Sequence, residues 1–193
     1  MGIVIVRIIA GSLKGRRLKA PAWEGLRPSS DKLRETLFNI LAPRIAGARV
    51  LDGYAGTGAV GLEALSRGAA HVTFVERDRR AASLIEENVR ACGVEGGYTI
   101  LCGDVATVLP RLGTDGFDLI LLDPPYDSAN VGEALDVAAR ALAQGGLVVL
   151  ERPTRREPAA PGSLQRVRDR KSGDSTLTFF IRRAGPGDPR EAR

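Results

Sequence analysis

Between residues 49 and 151, short apolar runs alternate with helix-patterned segments, and this alternation confines the chain to one class of architecture. Arg49–Asp52 reads as a buried strand, Ala59–Arg67 as a helix, His71–Glu76 as a strand and Asp78–Ala91 as a helix capped by Asp78, with Gly93 just past its end. Tyr98–Cys102, Phe117–Asp123 and Leu147–Glu151 continue the strands; Val105–Leu112 and Asn130–Ala143 continue the helices. Phe117–Asp123 is apolar enough to be covered on both faces. Strands and helices in this order imply a parallel sheet with helices on both faces, which binds ligands beyond the carboxyl ends of its strands. Asp52, Glu76 and Asp123 close three of those strands, and Asp104 follows a fourth, so four carboxylates are expected along one edge.

The flanking regions read differently. Val4–Ala10 and Arg16–Ala20 suggest a hairpin around Gly11–Gly15, and Lys32–Leu41 an amphipathic helix capped at Ser30 or Asp31. Residues 152–163, with three prolines and three arginines, read as an irregular linker. Leu164–Arg168 and Thr176–Ile181 read as an antiparallel pair about a turn at Ser172–Asp174, and residues 184–193 as a frayed tail. We expect an extension over residues 1–44 and a main domain over 45–183.

Charge follows the same division. Residues 1–50 carry a net +7, residues 51–151 a net −8 and residues 152–193 a net +6, and arginines outnumber lysines 24 to 4. Two arginine-rich ends around an acidic centre suit a nucleic-acid partner; solvated faces are the competing reading. A start that is apolar but short and lacks a basic flank does not read as a signal peptide, and Val6 breaks the acylation pattern after Met1-Gly2. No run is long enough for a membrane helix. Cys92 and Cys102 read as structural thiols of a reducing cytoplasm, and one histidine argues against a zinc site.

Two motifs carry chemistry. Gly56–Gly61 (GTGAVG) lies between a strand and a helix, where glycines let backbone approach a ligand, and Glu76 ends the next strand, where a carboxylate can take both ribose hydroxyls. This leaves a nicotinamide dinucleotide and S-adenosylmethionine both open. Asp104 can meet an adenine amino group or cap the following short helix. Asp123-Pro124-Pro125-Tyr126 then narrows the choice. Consecutive prolines make a stiff, donor-poor turn whose carbonyls can face a ligand. Beside them Asp123 supplies an anionic acceptor and Tyr126 a stacking face. The set suits a planar substrate with an exocyclic amine: N–H groups donate to Asp123 and the Pro124 carbonyl, and the nitrogen lone pair is released toward an electrophile. Stacking on Tyr126 contributes about 1–3 kcal/mol, offsetting much of the cost of unstacking a base.

The order of Asp52-x-x-Ala55-Gly56-x-Gly58, Glu76, Asp104 and DPPY resembles the S-adenosylmethionine-dependent amino methyltransferases. Further strings narrow the resemblance to the bacterial small-subunit ribosomal RNA guanine-N2 methyltransferases: Arg7–Gly11, Gly15-Arg16, Arg27–Asp31, Arg34-Glu35-x-Leu37-Phe38-Asn39 and Gly61–Ala69. The resemblance spans about residues 6–182. It implies a Rossmann-like class I methyltransferase fold, with a seven-stranded, mostly parallel sheet, helices on both faces and a small N-terminal hairpin and helix extension. It implies in-line transfer of a methyl group from S-adenosylmethionine to guanine N2 in small-subunit ribosomal RNA, free or in an assembling particle, with no covalent enzyme intermediate, no metal and no membrane. By the same resemblance Asp52, Tyr54, Gly56, Thr57, Gly58, Glu76 and Asp104 hold the cofactor, and Asp123, Pro124, Pro125 and Tyr126 hold the base. Lys14, Arg16, Arg17, Lys19, Arg27, Arg166, Arg168, Arg170 and Lys171 are the candidate RNA contacts.

The family usually reads D-L-F-A-G-S-G where this chain has Asp52–Gly58 as DGYAGTG, so we expect altered packing of the cofactor loop at Gly53 and Tyr54. Ser29 stands where Thr is usual. Four rivals are weaker. A DNA amino methyltransferase has no room here for a target-recognition domain. A protein-glutamine methyltransferase more often carries Asn at position 123. An oxidoreductase leaves DPPY without a role, and a non-catalytic assembly factor leaves Asp123 and Tyr126 without one.

Overall fold

The computed structural model describes residues 6–21, 23, 30–158 and 161–183. The expected Rossmann-like sheet is present. Its strands are β3 (Arg49–Gly53), β4 (His71–Glu76), β5 (Tyr98–Cys102), β6 (Phe117–Leu122), β7 (Leu142–Pro153), β8 (Leu164–Ser172) and β9 (Ser175–Arg182), in the order β5-β4-β3-β6-β7-β9-β8. The β5-β4-β3-β6-β7 part is parallel, and β9 runs antiparallel to both of its neighbours. Strand order reverses at β3, with β4 and β5 on one side and β6 and β7 on the other, so the carboxyl ends of β3, β4 and β6 open on a shared crevice.

Two apolar layers hold the helices. Val50, Leu119, Leu121, Val149, Leu177 and Phe179 face α1 (Asp31–Ile45), α2 (Ala59–Ser66) and α3 (Arg79–Ala91). Leu51, Ile120, Leu122, Val148 and Phe180 face α4 (Val105–Val108), the following 3-10 turn and α5 (Val131–Ala141). The alternation along each strand is the two-residue period of a sheet buried on both faces. Local caps place three helix starts. Ser30 Oγ accepts from Leu33 N–H at 3.2 Å, Asp78 from Arg80 N–H at 2.8 Å and Asp104 from Ala106 N–H at 2.9 Å.

Among the described residues the N-terminal hairpin pairs β1 (Val6–Arg7) with β2 (Arg17–Leu18). Side chains of the helices beneath anchor the remainder. Glu63, fully buried on α2, accepts Ile9 N–H at 2.7 Å and Ala10 N–H at 3.0 Å, and pairs with Arg67 at 2.7 Å. Ser66 accepts Leu13 N–H at 2.9 Å. Arg34, 1% exposed, donates to the Arg7 carbonyl at 2.8 Å and pairs with Asp31 at 2.7 Å.

The irregular linker expected from residue 152 begins two residues later, and the described residues from 154 to 163 are irregular as expected. β7 runs on to Pro153, with Arg152 buried. Its guanidinium donates to Thr178 Oγ1 at 2.8 Å and the Arg156 carbonyl at 2.8 Å, and pairs with Asp169 at 3.0 Å. A cation that reads as solvated thus ties β7, β8 and the next loop together. α1 also extends past Leu41 to Ile45, with Pro43 inside it, and β8 runs four residues beyond Arg168. Residues 1–5, Arg27 with the rest of 24–29, and the tail 184–193 lie outside the described residues.

Candidate active site

The glycine turn begins where β3 ends. Tyr54 adopts φ +64°, Gly56 φ +56° and Gly58 φ +76°, carrying the chain sharply from strand into α2. At Gly53 an added Cβ would lie 2.7 Å from Leu122 Cδ2. Leu122 thus fills the space that a larger residue would take. Tyr54 packs its ring against the α4–α5 layer, and burial, with Asp104 and Glu133 nearby, pushes its phenol up to about 12.

Carboxylates fasten this turn from below. Asp52, 3% exposed, accepts Gly61 N–H at 2.8 Å, fixing the first turn of α2. Glu76 accepts Gly56 N–H at 2.9 Å on one oxygen and Asp78 N–H at 2.9 Å on the other, coupling the glycine turn to the start of α3. A carboxylate offers about four lone-pair positions, so both oxygens retain capacity toward a ligand. Buried Asn88 donates to the Thr57 carbonyl at 3.0 Å and accepts Lys19 N–H at 2.7 Å, joining turn and hairpin.

Burial raises the Asp52 carboxyl well above its ordinary range; the Gly61 N–H opposes this, while Asp123 and Glu76 add to it. An acid whose folded pKa is raised ionises first in the unfolded chain. Stability is therefore lost as pH climbs from the ordinary carboxylate range through the folded value. Asp52→Asn keeps an oxygen for Gly61 and has no proton to lose. The ligand-free variant should melt higher than the parent near about pH 8 and alike below about pH 4. Thermal scans at both ends check this, and a variant less stable at the higher pH refutes it.

Asp123–Tyr126 follows β6. Asp123 donates its backbone N–H to the Gly53 carbonyl at 3.3 Å, closing the gap to β3, and the Pro125 carbonyl accepts from Ser128 N–H at 2.9 Å. Tyr126 is half exposed, its ring open to a partner. Its hydroxyl lies 2.8 Å from Ser175 Oγ, which donates to Glu151 at 3.1 Å, and Arg156 donates to its backbone carbonyl.

These parts share one cleft of about 630 Å³, lined by Asp52, Tyr54, Gly56, Thr57 and Glu76 on one side and by Asp123, Pro124, Pro125 and Tyr126 on the other. Two expected cofactor residues are not part of its lining. Gly58 turns its back against Ile85 and Phe74, and Asp104 caps α4. Among the residues that sequence reading missed, Trp23, Arg80, Glu151 and Ser175 line it. Arg80 lies 5.0 Å above the Trp23 ring and pairs with Asp78 at 2.7 Å. Those hydrogen bonds hold the Asp78 carboxyl down at about 2. Glu151 obeys the rule that singled out Asp52, Glu76 and Asp123, an acid closing an apolar strand, and was legible on that signal.

The expected RNA contacts divide. Lys19 is paired with Glu87 at 2.7 Å, and Arg166 is engaged by Glu157 and Asp169. Arg16 donates to the Ala91 carbonyl at 3.4 Å, at the far end of α3 from the cleft, and Lys14 lies in the hairpin turn near the end of α2. Arg168, Arg170 and Lys171 are exposed on edge strand β8, whose last residue, Ser172, lines the cleft. Arg17 is exposed on β2. Among the described residues, no cluster of His, Cys, Asp and Glu could hold a metal, and no helix is long and apolar enough to cross a membrane.

The conserved hypothetical protein 95 family matches residues 6–181. Ribosomal RNA small subunit methyltransferase D of Escherichia coli strain K12 is 34% identical over 182 residues, spanning 93% of this chain and 91% of that protein. The protein of the same name from Haemophilus influenzae is 42% identical over 123 residues, 63% of this chain and 64% of its own. Among solved structures, Escherichia coli yhhF superposes with a TM-score of 0.82 at 33% identity, covering 94% of this chain and all of that one. A hypothetical protein of Thermus thermophilus superposes with a TM-score of 0.74 at 36% identity, covering 90% of this chain and 98% of its own.

Proposed function

Because this chain belongs to the conserved hypothetical protein 95 family, which includes the small-subunit ribosomal RNA methyltransferases D, we propose that its cleft methylates the exocyclic N2 amine of a guanine in small-subunit ribosomal RNA. The observation that carries this reading is the meeting of two motifs in one cleft: the glycine turn with Asp52 and Glu76, and the stiff Asp123–Tyr126 turn.

The residues present fit S-adenosylmethionine. The lining is rich in carboxyl groups, Asp52, Glu76, Asp123 and Glu151 among them, and backbone turns closely at Gly56. When bound, that cofactor supplies an electrophilic methyl group on a sulfonium. Glu76 is placed to accept ribose hydroxyls while anchoring Gly56, and Thr57 and Tyr54 wall the nucleoside. Asp123 accepts one amine hydrogen and the Pro124 carbonyl takes the other, which turns the nitrogen lone pair out of the ring. Tyr126, tethered by Ser175, offers its face to the base. None of these groups needs a covalent intermediate. The chemistry consists of alignment and electrostatic preorganisation, and alignment alone supplies about 7–11 kcal/mol in favourable cases.

Tritium transfer from labelled S-adenosylmethionine to purified small-subunit RNA and particles, followed by nucleoside mass spectrometry, tests this reading. Label should appear as N2-methylguanine, in a cytoplasmic ribosomal fraction of the cell. Exposed Arg17, Arg168, Arg170 and Lys171 should make RNA binding fall steeply with salt, by about 0.7–0.9 log units per log unit of salt for each phosphate neutralised. Label on adenine or cytosine, or affinity indifferent to salt, overturns the corresponding part.

A further inference from the structure

Glu151 holds a place beside the proposed catalytic aspartate that the reaction as described leaves without a task. In the β6–β7 register Leu122 pairs with Leu150, so Asp123 and Glu151 are the next residues of adjacent parallel strands. Adjacent strands lie about 4.8 Å apart, and residues of equal parity point to the same side. Leu121 and Val149 both face the α1–α3 layer, so Asp123, just past the end of β6, and Glu151, still within β7, continue that row. Across β9, Glu151 pairs with Leu177, and Ser175 lies two residues earlier on the same face. The row Asp123, Glu151, Ser175 forms one wall of the cleft, and all three line it. Glu151 is 9% exposed, and Ser175 orients one of its oxygens at 3.1 Å.

Two carboxylates side by side match a base edge with two neighbouring donors. Guanine carries N1–H next to its N2 amine. Adenine and cytosine carry a lone pair next to theirs, which a carboxylate repels. We propose that Glu151 is a specificity-determining residue that accepts the guanine N1–H while Asp123 accepts from the N2 amine. The inference rests on the guanine-N2 reading above. A site built around a substrate N–H rejects the analogue that lacks it, because a buried polar group is then left unpaired.

The test uses small-subunit RNA ligated from segments that carry either guanine or 2-aminopurine at the target nucleotide, located first by the tritium assay. 2-Aminopurine keeps the exocyclic amine but has a lone pair at N1. The parent enzyme should prefer guanine by about a hundredfold or more in kcat/KM. Glu151→Gln, whose amide can donate to N1, should be slower on guanine and faster on 2-aminopurine, bringing the preference below about tenfold. Glu151→Asp should keep a preference for guanine, and guards against misfolding of the first variant. Ser175→Ala, which loosens both Tyr126 and Glu151, should slow both substrates and lower the preference for guanine less than Glu151→Gln does. A parent that does not discriminate, or a Glu151→Gln variant with the parent's ratio at reduced rates, overturns the role and leaves Glu151 as a support for Tyr126. Label on adenine or cytosine instead defeats the underlying guanine reading as well, so the two failures are distinguishable.

Discussion

Asp123→Ala should abolish most methyl transfer while leaving RNA binding nearly intact. In the proposed reaction its carboxylate accepts from the amine, and it lies just past the end of β6 on the wall of the cleft. Its removal takes a preorganised charge from the point where the nitrogen gains positive character, and losses of that kind are about 10²–10³-fold in kcat. The backbone bond from residue 123 to the Gly53 carbonyl does not involve the side chain, so the turn should survive. The RNA contacts proposed on β2 and β8 lie outside the turn, and deleting an acid cannot weaken attraction to phosphate. Single-turnover methylation and filter binding on the same preparation separate the effects. Asp123→Asn should fall between, since its oxygen still accepts but carries no charge. Full transfer by Asp123→Ala would refute the assigned role.

Glu63→Ala should be the most destabilising single change outside the cleft. Glu63 is fully buried and serves three donors, the Ile9 and Ala10 N–H groups and the Arg67 guanidinium. Alanine leaves two backbone donors and a mostly buried cation without an acceptor, a loss of about 3–5 kcal/mol. For a chain of this size that corresponds to a drop of about 6–20 °C in Tm. Hydrogen exchange should quicken first at Ile9 and Ala10. Glu63→Gln, which keeps one acceptor, should lose less. A change under about 1 kcal/mol would mean that the buried apolar residues Val6, Ile8 and Leu18 dock the hairpin by themselves.

Both residues sit in strings that are plain in the sequence, yet only one of them stood out there as a candidate. Asp123 declares itself because its chemistry is local: an acid, two prolines and an aromatic in succession after an apolar strand. Ser30, Asp78 and Asp104 were legible for the same reason, each capping a helix two or three residues away. Glu63, Arg34 and Arg152 were not. On a helix or a strand a buried ion looks like a solvated one until its partner is known. Glu63 finds Ile9 across 54 residues of chain, and Arg152 finds Thr178 across 26.

Sequence alone determined the alternating architecture, the glycine turn and the DPPY turn, since strand period, cap spacing and proline geometry act within a few residues. Tertiary structure decided which acids share a wall. Glu151 joins Asp123 through strand register, Asp104 turns to its helix instead of lining the cleft, and Lys19 and Arg166 are taken up by acids of the protein itself. Pairing between strands and burial of charge depend on contacts between distant segments, and no local pattern encodes which of them will meet.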